Sequence, residues 1–339
     1  MIRHRADPDY SHGRVLFAVL ALLTASWALM GWFDLPFQVR AGFDTDGQHV
    51  VSRVEPGSPA AVAGLLAGDT ITHFNSVPAS DAAALARRPR NKPGDTSIIG
   101  IERGGEPGRL TIRYVPLPER NLFLARAATI VGYCFLLLPL AACLRRPNVT
   151  TTVLAVMGTG LSLAFFTGPH IADFTLRAMS VAITSLFVLT GVAALLHFLL
   201  TFPQRRPLLG RPVVRRLLYL PAFFLWLLIA WRALFTPPAS SALNALTHWM
   251  AGAVIGGYLL VSLFLLLRNF SRTHKAQRTA LGLNWMLLAT IAGIVPVTIA
   301  QLVRAFSPIA ALPGQDFYFI SLGLIPLGWS WSASRSPVT

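Results

Sequence analysis

Long apolar segments separated by short polar loops dominate the hydropathy pattern of this chain. The first segment follows a basic, polar head at residues 1–14 and is long enough to cross a bilayer as a helix. The predicted spans are Val15–Phe33, Leu122–Leu144, Thr151–Thr167, Met179–Phe202, Leu217–Phe235, Trp249–Leu267, Leu281–Val303 and Phe317–Ser332. We therefore expect a membrane α-helical bundle of about eight transmembrane helices, with an anchor at 15–33, a helical domain at 121–333 and a tail at 334–339.

One stretch between the first two apolar segments has the pattern of a compact water-soluble fold. Val50–Asn75 opens with β-branched residues that predict a short strand. Ser58 and Pro59 are residue types favoured at the N-cap and the first position of a helix, and we expect Gly64 to end that helix. A Gly-Asp turn then leads into a second predicted strand, Thr70–Phe74.

The flanking sequence extends this soluble fold on its C-terminal side. Ser80–Ala86 is predicted to be a helix, and Thr96–Glu102 and Arg109–Val115 are predicted strands joined by a Gly-Gly turn. Together these elements make an α+β domain at residues 35–118. The domain is inserted between the first and second transmembrane helices.

The motif that begins at Val51, V-x-x-V-x-x-G-S-P-A-x-x-A-G-L-x-x-G-D-x-I, resembles the centre of a bacterial PDZ domain, as found in periplasmic high-temperature-requirement proteases. The alternative is another small β-rich domain, but many turn and cap positions agree at once. The positions that carry the PDZ motif are Gly57, Ser58, Pro59, Ala60, Gly64, Leu65, Gly68, Asp69 and Ile71.

The PDZ resemblance implies a groove in which an extended peptide adds a strand beside the first strand of the domain and packs against the Ser80–Ala86 helix. The terminal carboxylate of that peptide would meet backbone amides near Ala41-Gly42-Phe43. The alternative is a domain that only covers the helical bundle. The expected ligand-binding residues are Arg40, Ala41, Gly42, Phe43, Ala82 and Leu85.

The composition supports a membrane protein. Apolar residues make up 54% of the chain and charged residues 13%, and the mean hydropathy is +0.57. The net charge of +15 does not indicate nucleic-acid binding, because the basic residues are spread among loops between apolar segments. The two cysteines, Cys134 and Cys143, lie on different faces of one predicted helix, so no disulfide is expected.

The distribution of basic residues predicts the topology. Arginine and lysine cluster in alternate loops, for example at Arg145-Arg146 and in Pro203–Arg216, and such loops face the cytoplasm. The opposite loops hold only Arg177, Arg232 and Arg304. We therefore expect a bacterial inner membrane protein with cytoplasmic termini and an extracytoplasmic PDZ-like domain. The first segment is interpreted as an uncleaved anchor, with a cleaved signal peptide as the alternative.

No catalytic site of a membrane-embedded protease is found in the sequence. All four glutamates lie in the soluble domain or its linker, which excludes a zinc site of two histidines and a glutamate on one helix turn. The apolar segments contain no aspartate pair, no lysine placed for a Ser-Lys dyad and no G-x-S-G motif. The outer loop with His170 and Asp173 offers too few ligands for a metal. We expect no enzyme activity, metal or cofactor.

A few polar residues lie inside the predicted spans, where such residues are functional candidates. Structural roles are the alternative for each: hydrogen bonds between helices for His197, contact with headgroups for Arg126, and contacts between helices for the two amides. Gly252-x-x-x-Gly256 is expected to permit close helix packing. The intramembrane candidates are Arg126, His197, Asn284 and Gln301.

The arrangement of the whole chain resembles the sensor region of ComP-type bacterial histidine kinases. The similarity includes H-F-x-L-x-F-P-x-R-R at His197–Arg206 and L-I-P-L at Leu324–Leu327 in the last span. It implies a sensor without its own kinase domains, which binds a peptide or protein C-terminus outside and signals to a cytoplasmic kinase or regulator. The alternative is a recruitment or scaffold module for an envelope protease or assembly machine. A transporter is disfavoured because the spans hold almost no charge.

Overall fold

The computed structural model describes residues 8–46, 48–203, 207–235, 241–306 and 315–335. A long helix precedes a small domain of six strands and two short helices, and the remaining elements are helical. In chain order the elements are α1 Pro8–Asp34, β1 Phe43–Thr45, β2 Val51–Val54, α2 Pro59–Val62, β3 Thr70–Phe74, β4 Val77–Pro78, α3 Ala82–Arg87, β5 Thr96–Arg103, β6 Glu106–Arg113, α4 Glu119–Arg145, α5 Val149–Ser162, α6 Phe174–Thr201, α7 Pro212–Phe235, α8 Ser241–Arg272, α9 Lys275–Ala280, α10 Leu283–Phe306 and α11 Leu324–Ala333.

The small domain contains two antiparallel sheets around one apolar core. β1 pairs with β2, and the second sheet has the strand order β4-β3-β5-β6. Alternation along β5 buries Ser97, Ile99 and Ile101 on one face. The core residues of this domain are Val51, Ala60, Leu65, Ile71, Ala79, Ile99, Ile101, Ile112 and Tyr114.

The two ends of the small domain meet at a short stem next to the helices. Val39 forms an antiparallel bridge with Pro116, and the amide of Leu117 donates to the carbonyl of Gln38 at 3.3 Å. Beyond the stem, the hydroxyl of Tyr133 on α4 donates to the carbonyl of Ala25 on α1 at 3.0 Å. The helices that enter and leave the domain are therefore joined to each other.

The described part of the chain contains six helical stretches that are long and apolar enough to cross a membrane, by length and composition. They are Val15–Phe37, Glu119–Arg145, Phe174–Thr201, Pro212–Phe235, Ala245–Arg272 and Leu283–Gln301. These stretches support a membrane protein. The predicted total of about eight transmembrane helices stays a prediction.

Two predicted spans differ from continuous long helices. The predicted span Thr151–Thr167 corresponds to α5, which has 14 residues and ends at Ser162. The predicted span Phe317–Ser332 is a 3-10 stretch, Gln315–Gly323, followed by α11. Pro326 lies in the first turn of α11, where its missing amide is not needed, so the α-helix starts just before the proline.

Boundaries inside the small domain also shift by a few residues. The helix predicted at Ser80–Ala86 is α3, and its N-cap is Asp81, whose carboxylate accepts from the amide of Ala84 at 2.9 Å. The last strand begins at Glu106 and ends at Arg113, earlier than predicted, because β5 and β6 pair up to the Gly-Gly turn. Ser58 and Gly64 have the predicted roles at the two ends of α2.

Close helix packing occurs at glycines other than the predicted pair. A Cβ atom on Gly160 would lie 2.3 Å from the carbonyl oxygen of Phe187 and 2.6 Å from Gly191 Cα, so the backbones of α5 and α6 touch. In contrast, a Cβ atom on Gly252 or Gly256 would meet nothing within 4 Å. The Gly252 motif therefore has no close packing partner among the described residues, and its role in helix packing stays a prediction.

Candidate functional site

A tight loop before β1 occupies the position expected for carboxylate recognition. Gly42 is buried and has a φ of +81°, a conformation that favours glycine. A Cβ atom there would lie 2.2 Å from Ser58 Cβ. The Gly42 carbonyl accepts from the amide of Glu55 at 2.8 Å and from the Ser58 hydroxyl at 3.2 Å. The loop is therefore fixed against the start of α2.

Two backbone amides of this loop have no hydrogen-bond acceptor among the described residues. The carbonyl of Ala41 accepts from the amide of Ala60 at 3.0 Å, so the carbonyls of both Ala41 and Gly42 are used inside the domain. Among the hydrogen bonds of the described residues, the amides of Ala41 and Gly42 donate to no partner. Two adjacent free amides are the kind of group that binds a carboxylate.

The outer edge of β1 continues this line of donors. Phe43 lies opposite Val54, and the bond from the Glu55 amide to the Gly42 carbonyl makes this a non-hydrogen-bonded pair. The amide and carbonyl of Phe43 therefore point away from β2. No described strand pairs with that edge. An added strand could use both groups.

The other predicted groove residues lie around this edge. Arg40 is exposed, and its guanidinium forms an ion pair of 2.9 Å with the carboxylate of Glu55. The charge of Arg40 therefore already has a partner beside the loop. Ala82 begins α3, and Leu85 lies half-buried one turn further along the same helix. Leu85 lines a cavity with Val39, from the segment just before the loop. The structure thus places α3 beside the chain that leads into β1.

The Gly-Asp turn of the motif has a structural role. Asp69 is 1% exposed, and its carboxylate accepts from the amide of Leu66 at 2.9 Å and from two guanidinium nitrogens of Arg103, each at 2.7 Å. Arg103 also donates to the carbonyl of Gly64 at 2.7 Å. The hydrogen bonds from Arg103 hold the pKa of the Asp69 carboxyl below its ordinary value, although burial opposes the shift.

A polar cavity lies between the small domain and the start of α6. It has a volume of about 540 Å³, and it is lined from both sides by the residues Gln38, Val39, Leu85, Arg88, Pro89, Arg90, Asn91, Tyr114, His170 and Arg177. The His170 amide donates to a carboxylate oxygen of Asp34 at the end of α1. The small domain, α1 and the loop before α6 therefore meet at one place.

A second cavity adjoins the first and shares Arg90 and Arg177 with it. This helix-end cavity, of about 530 Å³, lies between α6, α7 and α8 and includes Arg232 and His248. Sequence reasoning did not bring these arginines together. The available signal was that Arg177 and Arg232 are two of the only three arginines in the predicted outer loops.

The four intramembrane candidates lie apart from one another. His197 Nδ1 is 3.0 Å from the hydroxyl of Tyr219 on α7, and Arg126 lies over the ring of Trp32 at 5.5 Å. Asn284 and Gln301 are exposed, so neither is buried between helices. The arrangement gives His197 and Arg126 local partners and assembles no common site.

Side chains that could bind a metal ion are not clustered in the described part of the chain. No cluster of three or more histidine, cysteine, aspartate or glutamate side chains is found in the described ranges. Cys134 and Cys143 are free thiols. The basic motif at the end of α6 continues into residues 204–206, which lie outside the described residues.

Comparisons with known proteins identify the small domain. Residues 50–103 match the family model for a PDZ domain. A segment of 83 residues is 32% identical to a protein of Synechocystis sp. named "Putative serine protease HhoB", and the match covers 24% of this chain and 20% of that protein. No solved structure was found to match. The matches include no ComP-type kinase. Residues 50–103 thus belong to a PDZ domain, which the chain carries together with helices long and apolar enough to span a membrane.

Proposed function

We propose that this chain is a membrane-held receptor for the C-terminal tail of a peptide or protein. The observation that carries the proposal is the line of unused backbone groups at Ala41, Gly42 and Phe43, next to an unpaired strand edge. PDZ domains bind extended peptides by adding a strand, with main-chain hydrogen bonds supplying affinity. The terminal carboxylate would accept from the amides of Ala41 and Gly42.

Binding, rather than catalysis, is the activity proposed for the chain. Gly42 sets the geometry of the loop at residues 41–43, which would bind the carboxylate. The Ser58 hydroxyl donates to the Gly42 carbonyl and holds it in place. The fixed loop reduces the entropy that is lost when a tail binds, because its backbone is already ordered. Side chains of the tail would lie between β1 and α3, where Leu85 contributes apolar surface.

The helical region would bring the bound tail to a membrane partner, and recruitment is the first candidate. The similarity of one segment to a protein named as a serine protease favours a role in presenting clients to an envelope protease. In this case the helices only anchor the PDZ domain, and the partner contacts the domain or the helices from outside.

Relay to a cytoplasmic kinase or regulator is the second candidate, favoured by the contacts between the PDZ domain and α6. Arg90 of the domain and Arg177 of α6 line the same cavities. At the opposite end of α6, the side-chain Nδ2 of Asn269 on α8 donates to the carbonyls of Leu199 and Phe202 at 2.8 and 2.9 Å. Movement of the domain could therefore displace both α6 and α8 at the predicted cytoplasmic side.

Binding by strand addition can be tested on the full chain in lipid nanodiscs with fluorescent peptides that carry varied C-termini. Phe43→Pro removes the outward amide without removing a bond to β2, and Phe43→Ala is its matched control because it removes the ring but keeps the amide. We expect Phe43→Pro to weaken binding at least about tenfold, and Phe43→Ala to weaken it less. Amidation of the peptide terminus should also weaken binding. Equal binding of free and amidated peptides would contradict the proposal.

A photo-crosslinker at Arg211 or Ser271, both exposed near the predicted cytoplasmic ends of helices, separates the two candidates. Relay predicts a protein adduct whose yield changes when the external tail is added. Adducts to lipid alone, together with capture of a protease by a crosslinker at exposed Ser76 of the PDZ domain, would favour recruitment.

A further inference from the structure

Arginines from three elements converge where the PDZ domain meets the outer ends of the helices. Arg90 follows α3, Arg177 lies in the first turn of α6, and Arg232 lies in the last turn of α7. All three line the helix-end cavity, and Arg90 and Arg177 also line the polar cavity together with Arg88. These residues, Arg88, Arg90, Arg177 and Arg232, are called the arginine cluster below.

Positive charge predominates in the described lining of the two cavities. None of the described residues that line either cavity is an aspartate or glutamate. The nearby carboxylates have other partners: Asp173 caps the start of α6 and also attracts Arg177, and Asp34 accepts from the His170 amide. Arg90 and Arg177 are close enough for their like charges to repel. An anion between them would relieve that repulsion.

A buried imidazole nitrogen adds a polar group without a partner. His170 lines the polar cavity, and its Nε2 is buried with no hydrogen-bond partner in the described structure. A buried ring nitrogen left without a partner is costly. Asn91 and Tyr114 line the same cavity. The cavity therefore has several groups that can donate to the oxygens of one anion.

The helix-end cavity has an apolar part as well as the arginines. Phe174, Ala178 and Val181 contribute from α6, Ile229 and Ala233 from α7, and Ala251 from α8. Because α6, α7 and α8 are candidate membrane spans, their ends lie where lipid headgroups would lie. A hydrocarbon chain attached to the anion could enter this apolar part from the bilayer.

We propose that the arginine cluster binds the phosphate of an anionic glycerophospholipid of the outer leaflet, with an acyl chain in the helix-end cavity. Arginine forms bidentate hydrogen bonds with phosphate oxygens, and such sites favour arginine over lysine. Positive residues are depleted in the outer loops of a membrane protein, and two of the three arginines in the predicted outer loops of the helical domain line this one cavity. The bound lipid joins the PDZ domain to the bundle.

The proposal does not rest on peptide binding, although Leu85 of α3 lines the polar cavity and also belongs to the proposed peptide groove. The arginine cluster includes none of Ala41, Gly42 and Phe43. A lipid headgroup and a free phosphate ion would both present phosphate oxygens to the arginines. What favours the lipid is the apolar lining and the position at helix ends.

Native mass spectrometry of the delipidated full chain in mild detergent tests the proposal. Phosphatidylglycerol and phosphatidylcholine are titrated separately against the wild type and against Arg90→Gln, Arg177→Gln and Arg232→Gln. Arg53→Gln is the matched control, because Arg53 is also an exposed arginine but lines neither cavity. Inorganic phosphate and glycerol phosphate are titrated as soluble competitors. Arg177→Lys checks that charge alone does not suffice.

We expect the wild type to bind phosphatidylglycerol more tightly than phosphatidylcholine, and each cluster variant to lose about tenfold in affinity. Arg53→Gln should bind as the wild type does, and Arg177→Lys should fall between the wild type and Arg177→Gln. Absence of a preference for phosphatidylglycerol in the wild type would overturn the proposal whether or not the variants fold. Equal loss in Arg53→Gln would also overturn it, and so would displacement of the lipid by millimolar inorganic phosphate.

Discussion

Arg103 at the end of β5 reaches Asp69 in the turn before β3 and donates two hydrogen bonds of 2.7 Å to its carboxylate. The two residues are 34 positions apart in the chain. The Asp69 carboxylate also closes the turn through the Leu66 amide. One buried side chain therefore connects the turn of the motif to the central sheet of the PDZ domain.

Replacement of Asp69 by asparagine should loosen the central sheet. Asparagine keeps an acceptor for the Leu66 amide but loses the charge that binds Arg103. Arg103 is half-exposed and stays hydrated. The expected loss in the free energy of local unfolding at β5 is therefore modest, about 1–2 kcal/mol. Hydrogen exchange of β5 amides in the intact protein measures it. Asp44→Asn, a change at an exposed aspartate, should leave β5 protection unchanged.

The same ion pair predicts a pH dependence. Arg103 lowers the pKa of Asp69 in the folded domain, so the carboxylate stabilises the fold fully above its unfolded pKa of about 4. That contribution declines as the pH falls through the lower, folded pKa. The difference in β5 protection between wild type and Asp69→Asn should be constant from pH 7 to 5 and shrink below about pH 4. A difference that grows on acidification would contradict this assignment.

Gly42→Ala should destabilise the PDZ domain more than Gly57→Ala does. Both glycines have positive φ angles, +81° and +73°, so alanine is strained at either position. Only at Gly42 does the new Cβ also overlap Ser58. We expect a cost of about 1–2 kcal/mol for Gly57→Ala and a larger cost for Gly42→Ala. Thermal unfolding and peptide affinity of both variants provide the comparison.

Close contact between α5 and α6 predicts a strong effect at Gly160. The Cβ atom of a valine there would overlap the backbone of α6, whereas a Cβ atom at Gly252 on α8 would meet nothing within 4 Å. Gly160→Val should lower the temperature at which the detergent-solubilised protein aggregates, and Gly252→Val should not. Similar losses for both variants would indicate that α8 has a packing partner at its glycines.

The predicted topology can be tested by cysteine labelling after replacement of Cys134 and Cys143. Ser76 in the PDZ domain and Ser271 at the end of α8 are both exposed, so burial does not prevent the reaction at either site. An impermeant reagent applied to intact spheroplasts should label Ser76→Cys and not Ser271→Cys. The reverse result would place the PDZ domain in the cytoplasm.

Local chemistry explains what the sequence could predict. Ser58 as N-cap and Gly64 after α2 depend on a few neighbouring residues, so their roles were predictable. The partner of Asp69 was not predictable, because Arg103 comes close only through the pairing of β3 with β5. The arginine cluster likewise depends on how separate helices pack. The spacing of Gly252 and Gly256 shows that one face of α8 has small residues, but it does not show which helix packs against that face.

The stem at Val39 and Pro116 has a practical consequence for dissecting the molecule. Because the domain's two ends are adjacent and α1 and α4 are held together by Tyr133, residues between Gln38 and Leu117 form a removable cassette. Joining Gln38 to Leu117 through a short turn would excise the domain without separating the two helices. A fluorescent protein with neighbouring termini could occupy the same insertion point and report on the helices alone.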